Sequence, residues 1–178
     1  MNPNPFGPVA PSFDEPLELL EACHGRIEQQ LQTLEKLVPH LALKGCDAQA
    51  EEAARAVLRY FDTAGVLHHK DEDEDLFPLL RELSSAQGRD EIAAMIDELE
   101  REHVSMDSQW RRLRERLEAI AHAGAPRLDP EEVARFCWLY RRHMENESGA
   151  VLPFARQALD ERQRAALGER MAARRRIG

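Results

Sequence analysis

The sequence predicts an all-α fold: an up-down-up-down four-helix bundle with an additional short C-terminal helix. Three observations predict it. Leu, Ala, Glu and Arg dominate and β-branched residues are sparse, which favours helices over strands. Four long stretches carry apolar residues in steps of three and four, the spacing that lines one face of a helix. Short breaks separate them, and long helices joined by short loops pack as antiparallel neighbours. At 178 residues, 43% apolar and 32% charged, the chain suits one globular domain large enough to bury a core.

Residues 1–13, rich in proline and asparagine, read as an irregular N-terminal arm, and residues 14–178 as the bundle domain with its C-terminal helical extension. The first helix starts near Asp14-Glu15-Pro16, since proline is tolerated in a first turn, and ends before Gly45. Its stripe is Leu17, Leu20, His24, Ile27, Leu31, Leu34 and Leu37. The second helix covers residues 47–83, with the stripe Val57, Phe61, Ala64, His68, Glu72, Leu76 and Leu79, and a loop follows over residues 84–88. The third covers residues 90–123, with Ile92, Ile96, Leu99, His103, Met106, Trp110, Leu113, Leu117 and Ile120 in line. Gly124-Ala125-Pro126 breaks the chain. The fourth opens on Asp129 as cap with Pro130 next, and its stripe is Phe136, Tyr140, His143, Glu147, Val151 and Phe154. A shorter helix over residues 160–176 closes the chain.

Six ionisable residues therefore stand on core stripes: His24, His68, Glu72, His103, His143 and Glu147. Burying charge without a partner is costly, so something must compensate them. The pattern is duplicated. His68 precedes Glu72 by four residues and Pro78 by ten; His143 precedes Glu147 and Pro153 by the same intervals. His68 and His143 are 75 residues apart, His24 and His103 79 apart, so the first helix pair maps roughly onto the second. Four imidazoles and two carboxylates suit two first-row metal ions. Two histidines for each ion and two bridging glutamates leave room for a bridging oxo or hydroxo group and an open position. Mixed nitrogen and oxygen ligation with open sites points to iron; zinc and manganese accept the same ligand types.

His69 and Asp73 have ligand spacing too. The second block has Met144 and Ser148 at those places, so only the 68/72 register repeats, and His69 and Asp73 go to the exterior or behind the ligands. A different scheme uses E-x-x-H on two helices, which Glu21 with His24 and Glu100 with His103 would supply, but it leaves His68 and His143 unexplained. His40 and His122 fall near helix C-termini, where the dipole favours them. Tyr140, one turn before His143, is placed to hydrogen-bond a ligand at the centre, and Cys23 reads as a packed core thiol. The acidic Asp71, Asp73, Glu74 and Asp75 lie just off the stripe; near an entrance they would ease water and proton access.

A formal net charge of −9 disfavours nucleic acid as a partner, with Arg174-Arg175-Arg176 a weak exception. No apolar run approaches the ~20 residues of a membrane span. Met1-Asn2-Pro3-Asn4-Pro5 lacks the features of a signal peptide, and three cysteines without C-x-x-C spacing fit reduced thiols, so a cytoplasmic protein is expected.

On His24, the His68-His69…Glu72…Leu76-Phe77-Pro78 block, His103 and His143…Glu147…Leu152-Pro153, the chain resembles the hemerythrin-like (HHE cation-binding domain) family over roughly residues 15–160. The resemblance implies a four-helix bundle around a non-haem di-iron centre that binds or reacts with dioxygen, peroxide or nitric oxide, or that senses iron or oxygen. The family's oxygen carriers have five histidines and an aspartate in the second motif. The four aligned histidines and Glu147 here argue against reversible carriage. The sequence leaves open an alternative, a non-enzymatic sensor or a metal-stabilised interaction module, and gives no indication of oligomeric state.

Overall fold

A computed structural model describes residues 11–124 and 127–176, and among these every regular element is helical. Helix α1 (Pro16–Lys44) has proline in its first turn and ends at Gly45, whose φ of 74° is readily adopted by glycine. Helix α2 (Ala48–Asp62) is capped by Asp47, which accepts from the Ala50 N–H at 2.9 Å. Thr63 interrupts it, and α3 (Ala64–Asp71) resumes. A π-helical turn (Glu72–Leu76) follows, then α4 (Phe77–Ala86). The predicted second helix is thus an interrupted rod. The predicted loop after it is shorter than expected, because α4 runs on to Ala86 and Gly88, at φ 64°, makes the turn. Helix α5 (Asp90–Ala121) is continuous. Helix α6 (Pro130–Asn146) starts on the Asp129 cap, passes into a second π-turn (Glu147–Val151), and continues as α7 (Leu152–Ala158). Helix α8 (Glu161–Arg176) closes the chain. Residues 1–10 of the expected arm and residues 125–126 of the expected break lie outside the described residues.

Both π-turns begin on a glutamate of the duplicated motif and end just ahead of its proline. Proline has no N–H to give, and its ring crowds the carbonyl four residues back. The α-helical ladder cannot run through Pro78 or Pro153. Instead Phe77 N–H reaches Glu72 O, and Leu152 N–H reaches Glu147 O, a step of five that absorbs one extra residue. The two prolines therefore set a register shift, once in each copy of the motif.

Helix α1 packs on α2 and α6, and α5 packs on the same two, so the four main rods surround one interior. That interior has two apolar clusters. One holds Leu31, Leu34, Val57, Phe61, Leu113 and Phe136; the other holds Leu17, Leu20, Leu76, Phe77, Ile96, Leu99 and Leu152. In each rod the motif residues lie between the parts assigned to the two clusters. The polar layer is consequently closed off on both sides by packed hydrocarbon. Helix α8 adds Leu167 and Met171 to the second cluster and lies against α1, α3 and the first π-turn. Among the described residues no helix is long and apolar enough to cross a membrane.

Candidate metal centre

The six residues singled out in the sequence meet in the layer between the two clusters, and none is more than 9% exposed. They form two groups, in each of which one ligand atom per residue lies within 4.8 Å of the others: His24, His68, Glu72 and Glu147 in one, Glu72, His103 and His143 in the second. Glu72 stands in both groups, whereas Glu147 stands with the first alone.

The polar atoms of this layer lack the partners a protein interior normally supplies. Both nitrogens of His68, both oxygens of Glu72 and Oε1 of Glu147 are buried without a hydrogen bond among the described residues. His68 Nε2 lies 3.0 Å from Glu72 Oε1, and His103 Nε2 lies 3.3 Å from Glu72 Oε2, yet none of these four atoms except His103 Nε2 finds an aligned partner. His103 Nε2 faces His143 Nε2 at 3.1 Å, two nitrogens of which only a protonated one can donate. Donor atoms crowded together but misaligned for one another fit a cation among them. The donor chemistry, imidazole with carboxylate, fits a first-row ion.

Electrostatics agree. Burial, then the charge of Glu147, pushes the Glu72 carboxyl well above the usual range. Burial also opposes ionisation of Glu147, but the hydrogen bond from His24 and the surrounding imidazoles hold it down to about 2. Burial lowers His68 to about 3 and also lowers His143. It would lower His103 as well, but Asp73 and Glu72 outweigh it and hold that imidazole up to about 10. Without a cation the carboxyl groups and imidazoles of the layer are pushed in opposing directions; a cation among them would favour ionised carboxylates and neutral imidazole ligands.

Outer partners fix the imidazoles. His103 Nδ1 pairs with Asp73 Oδ1 at 2.8 Å, and His24 Nδ1 with Ser148 Oγ at 3.1 Å. Asp73 and Ser148 each follow a glutamate of the motif by one residue, so Asp73 stands behind a ligand and not in the donor set, and Ser148 takes the matching place in the second copy. His143 Nδ1 pairs with Glu102 Oε2 at 3.1 Å, a partner the sequence reading did not single out. Such groups set the ring orientation and raise ligand basicity. Glu21 and Glu100 instead meet Arg156 and Arg81 at the surface, which removes the E-x-x-H scheme. His40 pairs with Asp47, and His122 with the Glu118 carbonyl, both near helix ends.

A cavity of about 340 Å³ reaches this layer between α3, α5 and α6, with Phe61, Val66, His69, Asp73, His103, Trp110 and Tyr140 among its walls. His69 is 8% exposed and interior, and burial, then the neighbouring imidazoles, lowers it well below its usual range. Of the acidic run, Asp73 and Glu74 line the cavity. Asp71 and Asp75 do not; they are buried beneath α8, paired with Arg174, Arg175 and Arg170. Cys23 is buried beside Arg26 and belongs to neither donor group.

The chain matches the profile of the Hemerythrin HHE cation binding domain over residues 15–155. It is also 29% identical over 166 residues to a protein of Haemophilus influenzae (strain Rd) described as uncharacterized, and the match covers 93% of each chain.

Proposed function

The chain belongs to the Hemerythrin HHE cation binding domain family, and from that premise we propose that it is a non-haem di-iron protein whose centre binds or reacts with dioxygen, peroxide or nitric oxide. The observation that carries this reading is the pair of donor groups joined at Glu72, with five of their buried polar atoms left without partners. His24, His68, Glu72 and Glu147 would hold one ion, and Glu72, His103 and His143 the other. Zinc or manganese would fit the same donors. Iron held there would supply redox exchange and an open position for a small molecule, whereas zinc would supply no redox exchange. The protein's own part is positioning and enclosure. Ser148, Asp73 and Glu102 orient three of the imidazoles, the apolar clusters keep bulk water from two sides, and the cavity under α3 gives a small molecule a way in.

The same reading extends to topology. In α1 the second cluster comes before the motif histidine and the first cluster after it; in the α2–α4 rod the order is reversed, in α5 restored, and in α6–α7 reversed again. That alternation supports an up-down-up-down bundle.

Anaerobic reconstitution with ferrous iron, followed by elemental analysis, tests the proposal. About two equivalents per chain are expected. Saturation at one equivalent, with His103 and His143 dispensable, would overturn the dinuclear centre. The loaded ferrous protein exposed to dioxygen should pass to a stable ferric form and consume added peroxide. Quantitative recovery of ferrous protein under vacuum would make it a carrier instead.

A further inference from the structure

His69 follows a donor in sequence but belongs to neither donor group. Its ring is 8% exposed, and its Nε2 is sealed from solvent without a hydrogen-bond partner among the described residues. A buried nitrogen left unpaired is unfavourable, so the residue calls for a partner that the protein alone does not supply. That partner is not an ion shared with His103. The two rings lie 4.0 Å apart at 18°, face to face, so lone pairs in their planes do not converge on one point.

The ring stands at the boundary between cavity and centre. It lines the cavity, and it is 5.9 Å from the His68 ring and 6.2 Å from the His143 ring. Tyr140 lies nearly parallel to it at 5.8 Å, so aromatic neighbours on His103 and Tyr140 restrict its rotation. The centre itself is uneven. The group with His24 and His68 offers four donors; the group with His103 and His143 offers three, and only this group has a member, His103, on the cavity wall. An ion that takes about six ligands keeps more free positions at that half.

We propose that a small ligand with a hydrogen-bond-accepting atom reaches the His103–His143 half through this cavity, and that His69 donates a hydrogen bond to it from Nε2. This rests on the di-iron reading above and adds to it which half is open, by what route, and what selects the ligand. A neutral imidazole carries one N–H, and with that proton on Nε2 the buried nitrogen gains its missing partner when the ligand arrives. Ligands that accept a hydrogen bond are favoured over those that do not.

Azide is the probe, titrated by absorption into the iron-loaded ferric protein, with iron content measured on the same samples. His69→Leu should weaken azide binding by about tenfold, the scale of one lost hydrogen bond. His69→Gln, which keeps an N–H donor, should recover most of that loss. Val66→Trp, at a mouth position 41% exposed, should slow azide association in stopped flow several-fold and leave the equilibrium affinity nearly unchanged. Wild-type affinity in iron-replete His69→Leu would overturn the role of His69, and so would a His69→Gln variant as weak as the leucine one. An unchanged rate in Val66→Trp would overturn the route. Protein that takes up no iron in any form overturns the centre itself, a different failure from either.

Discussion

Asp73 and Ser148 play matching parts in the two copies of the motif. Each follows a glutamate of the repeated motif by one residue, and each reaches across to the Nδ1 of a histidine on another helix. The motif H-x-x-x-E is legible because four residues return a helix to the same face. The supporting residues are only half legible, because their partners are set by packing and not by spacing within one helix. Asp73 and Ser148 do share an offset, and that was the available signal. Glu102 had none: it precedes His103 in sequence but supports His143, 41 residues away. The two shared-offset partners differ in charge. Asp73 is a carboxylate and holds His103 with a charge-assisted bond, whereas Ser148 offers a hydroxyl. Asp73→Ala should therefore weaken metal binding at the His103–His143 half by about 10- to 100-fold, the usual effect of losing such an outer partner. The other half should be little changed, and Ser148→Ala should act on it more weakly. Calorimetric titration with ferrous iron, read as two steps, checks this. A uniform loss over both steps would mean that Asp73 supports the fold and not one ion.

Among the elements, the stripes located the four main rods but not their interruptions. A π-turn adds one residue without adding a distinct periodic pattern, so the stripe through Glu72 and Leu76 reads as continuous helix. Only the proline ten residues after each histidine marked it, and only with the backbone in view does its meaning emerge: each proline requires the shift, and each shift begins at a glutamate of the centre. Thr63 was missed for a related reason, since the apolar residues Phe61 and Ala64 flank the break and keep the stripe in phase. Glycines offer a test of how these elements are held. Gly149 lies in the second π-turn, exposed, and a Cβ there meets nothing within 4 Å. Gly149→Ala should stabilise the protein by about 0.5–1 kcal/mol through reduced unfolded-state freedom. Gly168 is the opposite case. Helix α8 crosses the chain at Phe13, and a Cβ on Gly168 would lie 1.9 Å from the Phe13 carbonyl oxygen. Gly168→Ala must push α8 off its seat and should cost about 1–3 kcal/mol. Urea unfolding of both variants measures the two signs; equal and small effects would mean that α8 is not held against Phe13.

For the molecule as a whole, charge that looked like a surface property in the sequence is partly interior. The terminal arginines read as a weak basic signal, yet Arg174 and Arg175 reach Asp71, which is fully buried, and Arg174 also reaches Asp75 at 2.7 Å. Sequence separation of about a hundred residues hid the match. Burial still pushes Asp71 up despite both guanidinium groups, so it depends on them. The double change Arg174→Ala/Arg175→Ala should cost about 3 kcal/mol, or roughly 6–12 °C in melting temperature, and Asp71→Asn in that background should restore part of it. The centre imposes the second global constraint. In the metal-free protein near neutral pH, His103, held up to about 10 against burial by Asp73 and Glu72, keeps its proton, while burial and then the charge of Glu147 raise the Glu72 carboxyl. A raised carboxyl favours the fold at low pH and loses that contribution as pH rises above the unfolded value near 4; a raised histidine contributes below its unfolded value near 6.5 and loses this as pH approaches its folded one. A metal ligand must be deprotonated, so loading must expel the His103 proton. We therefore expect iron uptake to release at least one proton per chain, and apparent affinity to rise with pH across the neutral range. Calorimetry in buffers of different ionisation enthalpy reads the first directly. Loading should also raise the melting temperature while far-UV helicity changes little, because both apolar clusters remain packed on either side of the layer. Uptake without proton release would mean that His103 is not a ligand. Equal melting temperatures with and without metal would mean that the polar layer is uncoupled from the packing around it.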